Sequence, residues 1–325
     1  MNRLLFVIPH YYRHSPDSDL GSLRETSDVR AATVARTLAG LHETFSHVLS
    51  VRPGHRSVAA ARNVVEVVVV TTGGEHLLTE IGALVHLATH VEVAVPPGEL
   101  GFAAHRILAE AGAGFDGYGY LEDDILVHDP LLFNKQRWFS STYGSDALLL
   151  PNRFEASGGL KVHPDGPLPP VATAGLSQPE GPERLLGNWH GTDLVFEHPS
   201  NPHSGCFFVD REQMARLAAH PRFGVPHASL ERTLETAASG PTAETFRIYK
   251  PAPPTADFLE VEHQGSYYLG LWSLPDATHV SEVTRKAAVA RAELAEADLA
   301  AMRASRSWRV TAPLRRMTDM IRGPR

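Results

Sequence analysis

Three consecutive acids, Glu122, Asp123 and Asp124, follow the apolar run Tyr118-Gly119-Tyr120-Leu121. Their mutual repulsion disfavours full ionisation unless a cation neutralises them. A hard divalent ion such as Mg²⁺ or Mn²⁺ takes oxygen ligands and keeps positions open for water and phosphate. Held at such a triplet, it can bridge the diphosphate of a nucleotide and stabilise charge on a departing phosphate. The plainer reading of an isolated Glu-Asp-Asp is a solvated turn. The apolar strand before the triplet and the helix start at Asp129-Pro130 after it favour the chemical reading, because together they fix the acids at the rim of a sheet.

Periodicity supplies the elements that position them. Residues 4–8, 64–70, 91–95, 118–121 and 147–150 read as apolar strands. Residues 26–45, 77–87, 100–113 and 131–143 read as helices, the first with Thr26 or Ser27 as N-cap. Strands alternating with helices, most of them apolar on both faces, predict an α/β fold with a mostly parallel sheet flanked by helices. Ligands bind such sheets beyond the carboxyl ends of the strands. The loop after the first strand and the acid triplet would share that edge. Residues 152–201 are rich in Gly and Pro and predict ordered loops and short strands that build a substrate wall. Strands at 204–209, 246–249 and 258–261 and helices at 211–219 and 229–238 follow, then a long Ala- and Glu-rich helix at 284–304. The expected division is a catalytic domain over 1–275 and a C-terminal helix with a basic tail over 276–325.

Composition narrows the class. The chain has 325 residues, 43% of them hydrophobic, enough for one large α/β domain or two small ones. No apolar run approaches the roughly 20 residues that span a bilayer, and residues 4–9 read as a strand, not a leader. The single cysteine, Cys206, allows no intrachain disulfide and fits a reducing, cytoplasmic setting as an inert core thiol. The net charge of −7 is uneven. Residues 303–325 hold seven arginines and one acid, Asp319, so this segment is about +6 and the remainder near −13. An acidic body argues against nucleic acid as a partner. The basic tail, with Trp308, Val310 and Leu314 among its arginines, suits peripheral contact with an anionic membrane face or a partner surface, or packing on its own domain.

Residues 1–270 resemble the GT-A type of nucleotide-sugar-dependent glycosyltransferase. The carriers are the opening strand Leu4-Leu5-Phe6-Val7-Ile8-Pro9, the strand-borne Tyr120-Leu121-Glu122-Asp123-Asp124, and Glu260-Val261-Glu262-His263. Ser305-Arg306-Ser307-Trp308-Arg309 onward is similar to a C-terminal motif of many bacterial glycan-assembly glycosyltransferases. The resemblance implies a nucleoside diphosphate sugar donor, a glycan or lipid-linked acceptor, and Mn²⁺ or Mg²⁺ as cofactor. It implies metal ligation by acids after the central strand and by a downstream histidine, here His263. The usual spaced Asp-x-Asp stands here as Glu-Asp-Asp, which leaves open which two acids bind. Asp124 is the first choice. Glu122 would share its side of an extended chain, and Asp123 joins the catalytic group.

The same resemblance puts base and ribose contacts after the first strand, at Pro9, His10, Tyr11 and Arg13. Arg106, on the helix before the acidic strand, is the candidate to neutralise the diphosphate. An inverting transferase also needs a carboxylate base for the acceptor hydroxyl. Asp210, Glu231 and Glu235 are the options, with Glu231 preferred for its place near a helix start. A retaining enzyme needs none, and the sequence does not choose. Trp189-His190 and Asn201-Pro202-His203-Ser204 are candidates for an acceptor wall. Eighteen histidines show no recurrent zinc spacing, and no glycine-rich phosphate loop or dinucleotide fingerprint follows a strand. The rival readings are a nucleotidyltransferase, which would carry a Gly-rich loop after the first strand, and a non-catalytic sugar- or nucleotide-binding scaffold.

Overall fold

The computed structural model describes residues 2–270, except 17, 19–20, 47, 51–57, 61–62, 158–159, 167–175, 231–232 and 266–267. Glu231, the helix expected at 284–304 and the basic tail lie outside the described residues.

The chain runs β1 (Asn2–Pro9), a helical turn at Gly21–Arg24, α1 (Ser27–Phe45), a ribbon of Val48–Ser50 and Val58–Ala60, β2 (Asn63–Thr72), β3 (Thr89–Val93), α2 (Leu100–Glu110) and β4 (Gly117–Leu121). It continues through β5 (Ile125–Leu126), α3 (Leu132–Tyr143), β6 (Ala147–Leu149), β7 (Asn152–Ser157), β8 (Leu160–Val162), β9 (Arg184–Trp189) and β10 (Thr192–Glu197). The last described elements are β11 (Cys206–Asp210), α4 (Arg211–Ala218), α5 (Thr233–Thr245), β12 (Arg247–Pro251) and β13 (Glu260–His263).

The central sheet has the order β11-β4-β1-β2-β3. All neighbours are parallel except β11, which runs antiparallel to β4. The architecture is therefore the expected α/β one, with a mostly parallel core sheet. Alternation along β1 feeds two cores. Leu4, Phe6 and Ile8 meet Val34, Leu38 and Leu41 of α1, while Leu5 and Val7 meet Phe102, Ala104 and Leu108 of α2. Two mixed four-stranded sheets, β8-β7-β13-β5 and β9-β10-β12-β6, adjoin this core. They hold the short strands expected within the Gly- and Pro-rich stretch 152–201.

Two helices differ from expectation. Residues 77–87 form turns and then a 3-10 helix, Gly82–Leu87, because Gly82 sits at φ +60° and interrupts a regular helix. The helix expected at 229–238 is shifted to Thr233–Thr245 and passes through Pro241. Its buried run from Thr236 to Ala243 shows tertiary packing overriding a local breaker. No described helix is long and apolar enough to cross a membrane.

The strand that delivers the acids, β4, alternates glycine with tyrosine for a packing reason. Tyr118 and Tyr120 fill one core, and Gly117 and Gly119 admit aromatic rings on the other face. A Cβ at Gly119 would lie 2.6 Å from Phe6 and 3.0 Å from Phe208. Gly119→Ala is expected to cost about 1–3 kcal/mol through overpacking. A urea midpoint unchanged from wild type would show that the rings yield freely.

Candidate active site

Strand β4 ends at Leu121, and residues 122–125 close a turn through Ile125 N–H donating to Glu122 O at 3.2 Å. This turn corrects the extended-chain reading of the acids. A turn does not alternate its side chains as a strand does, so the three carboxylates acquire three different sets of neighbours.

Asp123 is held inward. Arg30 of α1 donates to its Oδ1, and His10 Nδ1 lies 2.5 Å from its Oδ2. Leu77 N–H donates to His10 Nε2 at 3.0 Å, so Nε2 is an acceptor and Nδ1 carries the proton given to Asp123. Thr37 of α1 donates to the Asp123 backbone carbonyl at 3.1 Å. Burial alone would raise the Asp123 pKa. Arg30 and His10 outweigh it and hold the carboxyl well below its usual range. Arg30 is driven up from its already high value by Asp123 and Asp124 in spite of burial.

Asp124 shares Arg30 with Asp123 and also nears His263. Its Oδ2 lies 3.2 Å from Arg30 Nη1 and 3.8 Å from His263 Nε2, while Oδ1 is buried without a hydrogen-bond partner. Strand pairing brings His263 here. Strand β13 is antiparallel to β5, with His263 opposite Ile125, and Gln264 N–H donates to Asp124 O at 2.9 Å. Burial lowers the His263 pKa, but Asp124 and the hydrogen bond to Glu155 raise it more, for a net increase. Glu122 leans toward Gly205, where a Cβ would lie 2.9 Å from its Oε2. Burial, then the charge of Asp124, raises its pKa to about 7.

These groups open onto a cleft of about 1300 Å³. It is lined by Pro9, Tyr11, Glu25, Arg30, Glu122, Asp123, Asp124, Arg153, His203, Glu235 and His263, among others. The carboxyl edge of the sheet thus gathers most of the residues expected from sequence. Within this group, Tyr11 donates its hydroxyl to Glu75. His10 is fully buried beneath the cleft and supports Asp123, without reaching the cleft itself.

Others are placed elsewhere. Arg13 is largely exposed, 3.6 Å from Glu75. Arg106 donates to Gly224 O at 2.7 Å and does not line the cleft. Asp210 is engaged in a capping box with Gln213 at the start of α4. Trp189 packs on Trp138 at 5.2 Å, outside the cleft lining, whereas His203 lines it. Cys206 is buried in β11, and burial pushes its thiol upward.

Sequence reading missed Arg30, Arg153 and Glu155. Arg30 carried a signal, since it continues the spacing of Val34, Leu38 and Leu41 along the buried face of α1. Arg153 and Glu155 occupy the buried face of β7, where charged side chains at alternate positions ordinarily mean exposure. Arg153 binds Asp165 through Nε and Nη2, and Lys250 Nζ approaches the same carboxylate at 3.4 Å.

Among the described residues no three His, Cys, Asp or Glu side chains converge as a ready metal cage. An open site needs fewer, because Mg²⁺ is commonly held by one or two carboxylates with water and phosphate in the remaining positions. The unpartnered Asp124 Oδ1 and the adjacent His263 Nε2 fit that chemistry.

No family model and no curated protein matches the sequence. Among solved structures, the chain is similar to S. aureus TarS 1–349 at 10% identity and TM-score 0.40, covering 83% of this chain and 63% of that one. For TarS 1–349 in complex with UDP-GlcNAc the values are 10%, 0.40, 80% and 58%. For an active-site mutant of LgtC they are 9%, 0.33, 76% and 72%. The chain therefore spans about three fifths of these two TarS 1–349 structures. Likenesses of this degree carry no argument about function, which rests on the cleft.

Two outcomes follow. Arg30→Met leaves Asp123 buried without its cation, and loss of one partner of a buried pair costs about 3–5 kcal/mol. Chemical denaturation that finds less than about 1 kcal/mol would deny the pair its structural role. Glu122, raised in the folded state, binds more protons there than when unfolded between its ordinary range and about pH 7. Its contribution to stability is therefore present at low pH and lost as pH rises through about 7. Glu122→Gln should make the metal-free protein relatively more stable at pH 8 than at pH 5, compared with wild type. Parallel Tm profiles for the two proteins would contradict this.

Proposed function

We propose that this chain transfers a glycosyl group from a nucleoside diphosphate sugar to a hydroxyl of a glycan or lipid-linked acceptor, with Asp124 and His263 holding a divalent cation. The observation that carries the reading is the meeting of Asp124 and His263, from distant parts of the chain, at one cleft where Asp124 Oδ1 is buried and unpartnered. When bound, Mn²⁺ or Mg²⁺ supplies positive charge to the departing diphosphate.

The protein's own groups account for the rest. The turn after β4 and the β5–β13 pairing fix the two donors before ligand arrives, so little reorganisation is needed at reaction. Pro9 and Tyr11 wall the side of the cleft after β1, where the nucleoside is assigned. Arg153 replaces Arg106 as the cleft-lining cation available to a phosphate, held rigid by Asp165. For an inverting transfer, Glu235 at the start of α5 lines the cleft whereas Asp210 caps α4, and Glu235 takes the role of base.

UDP and UDP-GlcNAc, the ligands held by two TarS structures, are the first probes. A thermal-shift panel extending to other nucleoside diphosphates should show stabilisation that requires Mn²⁺, since a ligand bound to the folded state raises Tm by mass action. Asp124→Asn should keep the fold and abolish the Mn²⁺-dependent part, and His263→Ala should weaken Mn²⁺ more than metal-free nucleotide. If Asp124→Asn binds nucleotide with Mn²⁺ as tightly as wild type, the cation assignment fails. If no nucleoside diphosphate or nucleotide sugar binds, the donor class fails.

A further inference from the structure

The buried carboxylate of Glu155 has no place in the chemistry described so far. It is fully buried on β7. An ionised carboxylate in such a position is costly unless its oxygens are paired. Arg153, on the same face of the strand, is committed to Asp165 through Nε and Nη2, so the two do not form a simple ion pair. Glu155 Oε1 instead lies 2.9 Å from His263 Nδ1, and Oε2 accepts from the backbone N–H of Leu269 at 2.8 Å.

Sheet register explains this. Strand β13 lies between β7, its parallel neighbour, and β5, its antiparallel one. Its last residue, His263, thereby stands between Glu155 on one side and Asp124 on the other. The ring is also confined from above, since a Cβ on Gly265 would lie 2.7 Å from His263 Cε1.

We propose that Glu155 is a positioning residue, one oxygen fixing His263 with Nε2 toward Asp124 and the cleft, the other holding the backbone N–H of Leu269 beside the cleft-lining Tyr268. A carboxylate on the far nitrogen of a ligating histidine sets its tautomer and orientation, and loss of such a partner typically costs 10–100-fold in metal affinity. The orientation part stands on geometry alone; the metal part rests on the function proposed above. Glutamine cannot replace the carboxylate. It has one acceptor oxygen for two donors, and its amide would face either the imidazole N–H or the Leu269 N–H.

The test is ¹⁵N NMR of the His263 ring in the metal-free full chain at a pH where the ring is neutral. The wild type should show a protonated Nδ1 and a free Nε2. Glu155→Gln should lose that single tautomer, and its Kd for Mn²⁺ alone, read by electron paramagnetic resonance without nucleotide, should rise about 10–100-fold. A wild-type ring protonated at Nε2 overturns the proposal without needing any variant. So does a Glu155→Gln protein with the native tautomer and a Kd for Mn²⁺ within about twofold of wild type. If His263→Ala leaves Mn²⁺ binding unchanged, the cation site is wrong, while the tautomer still decides the role of Glu155.

Discussion

The cleft depends on one buried ion pair, Arg30 with Asp123. Three carboxylates at the end of a buried strand would otherwise take up protons or turn outward into solvent. Arg30 supplies a permanent charge from α1, and His10 supplies a hydrogen bond from the end of β1. Both oxygens of Asp123 are then satisfied. The pair joins the turn after β4 to the helix that covers one face of the sheet. With its middle residue anchored inward, the turn can present its other two acids to the cleft.

Charge around the cleft shows how the remaining acids are accommodated. The pKa values of Glu122 and Glu25 are raised, with burial the largest cause in each. That of His263 is raised by Asp124 and Glu155 against the effect of burial. All three shifts go toward holding protons, chiefly through burial in the two glutamates and through neighbouring carboxylates in His263, while Asp123 beside Arg30 and His10 shifts the other way. Asp124 Oδ1, buried without a hydrogen-bond partner, is left uncompensated among these groups. Arg153, at the cleft lining, is tied through Asp165 to the buried Lys250.

Register converts these local features into a single site. The antiparallel pairing of β13 with β5 and its parallel pairing with β7 bring together residues that no local motif links. Asp124 in the turn before β5, His263 on β13 and Glu155 on β7 form a row. A shift of one residue in β13 would turn His263 to the opposite face of its sheet.

Much of this was legible in the sequence. Apolar runs marked the parallel strands, the acids after Leu121 marked the sheet edge where the cleft opens, and Glu260-Val261-Glu262-His263 marked the distant histidine that lines it, because burial periodicity and strings of carboxylates are local properties of a chain. Tertiary structure alone decided which acid does what. The turn at 122–125 separates the three carboxylates, and only packing against α1 shows that Asp123 is spent on Arg30. Arg106 and Arg153 exchange importance for the same reason: whether an arginine meets the cleft depends on which strand or helix face lies against it. The charges buried on β7 reverse the usual polarity of a strand, and nothing in the sequence of 152–157 names their partners. Those partners, Asp165 and His263, come from elsewhere in the chain, and long-range pairing energy sets their positions where local propensity does not.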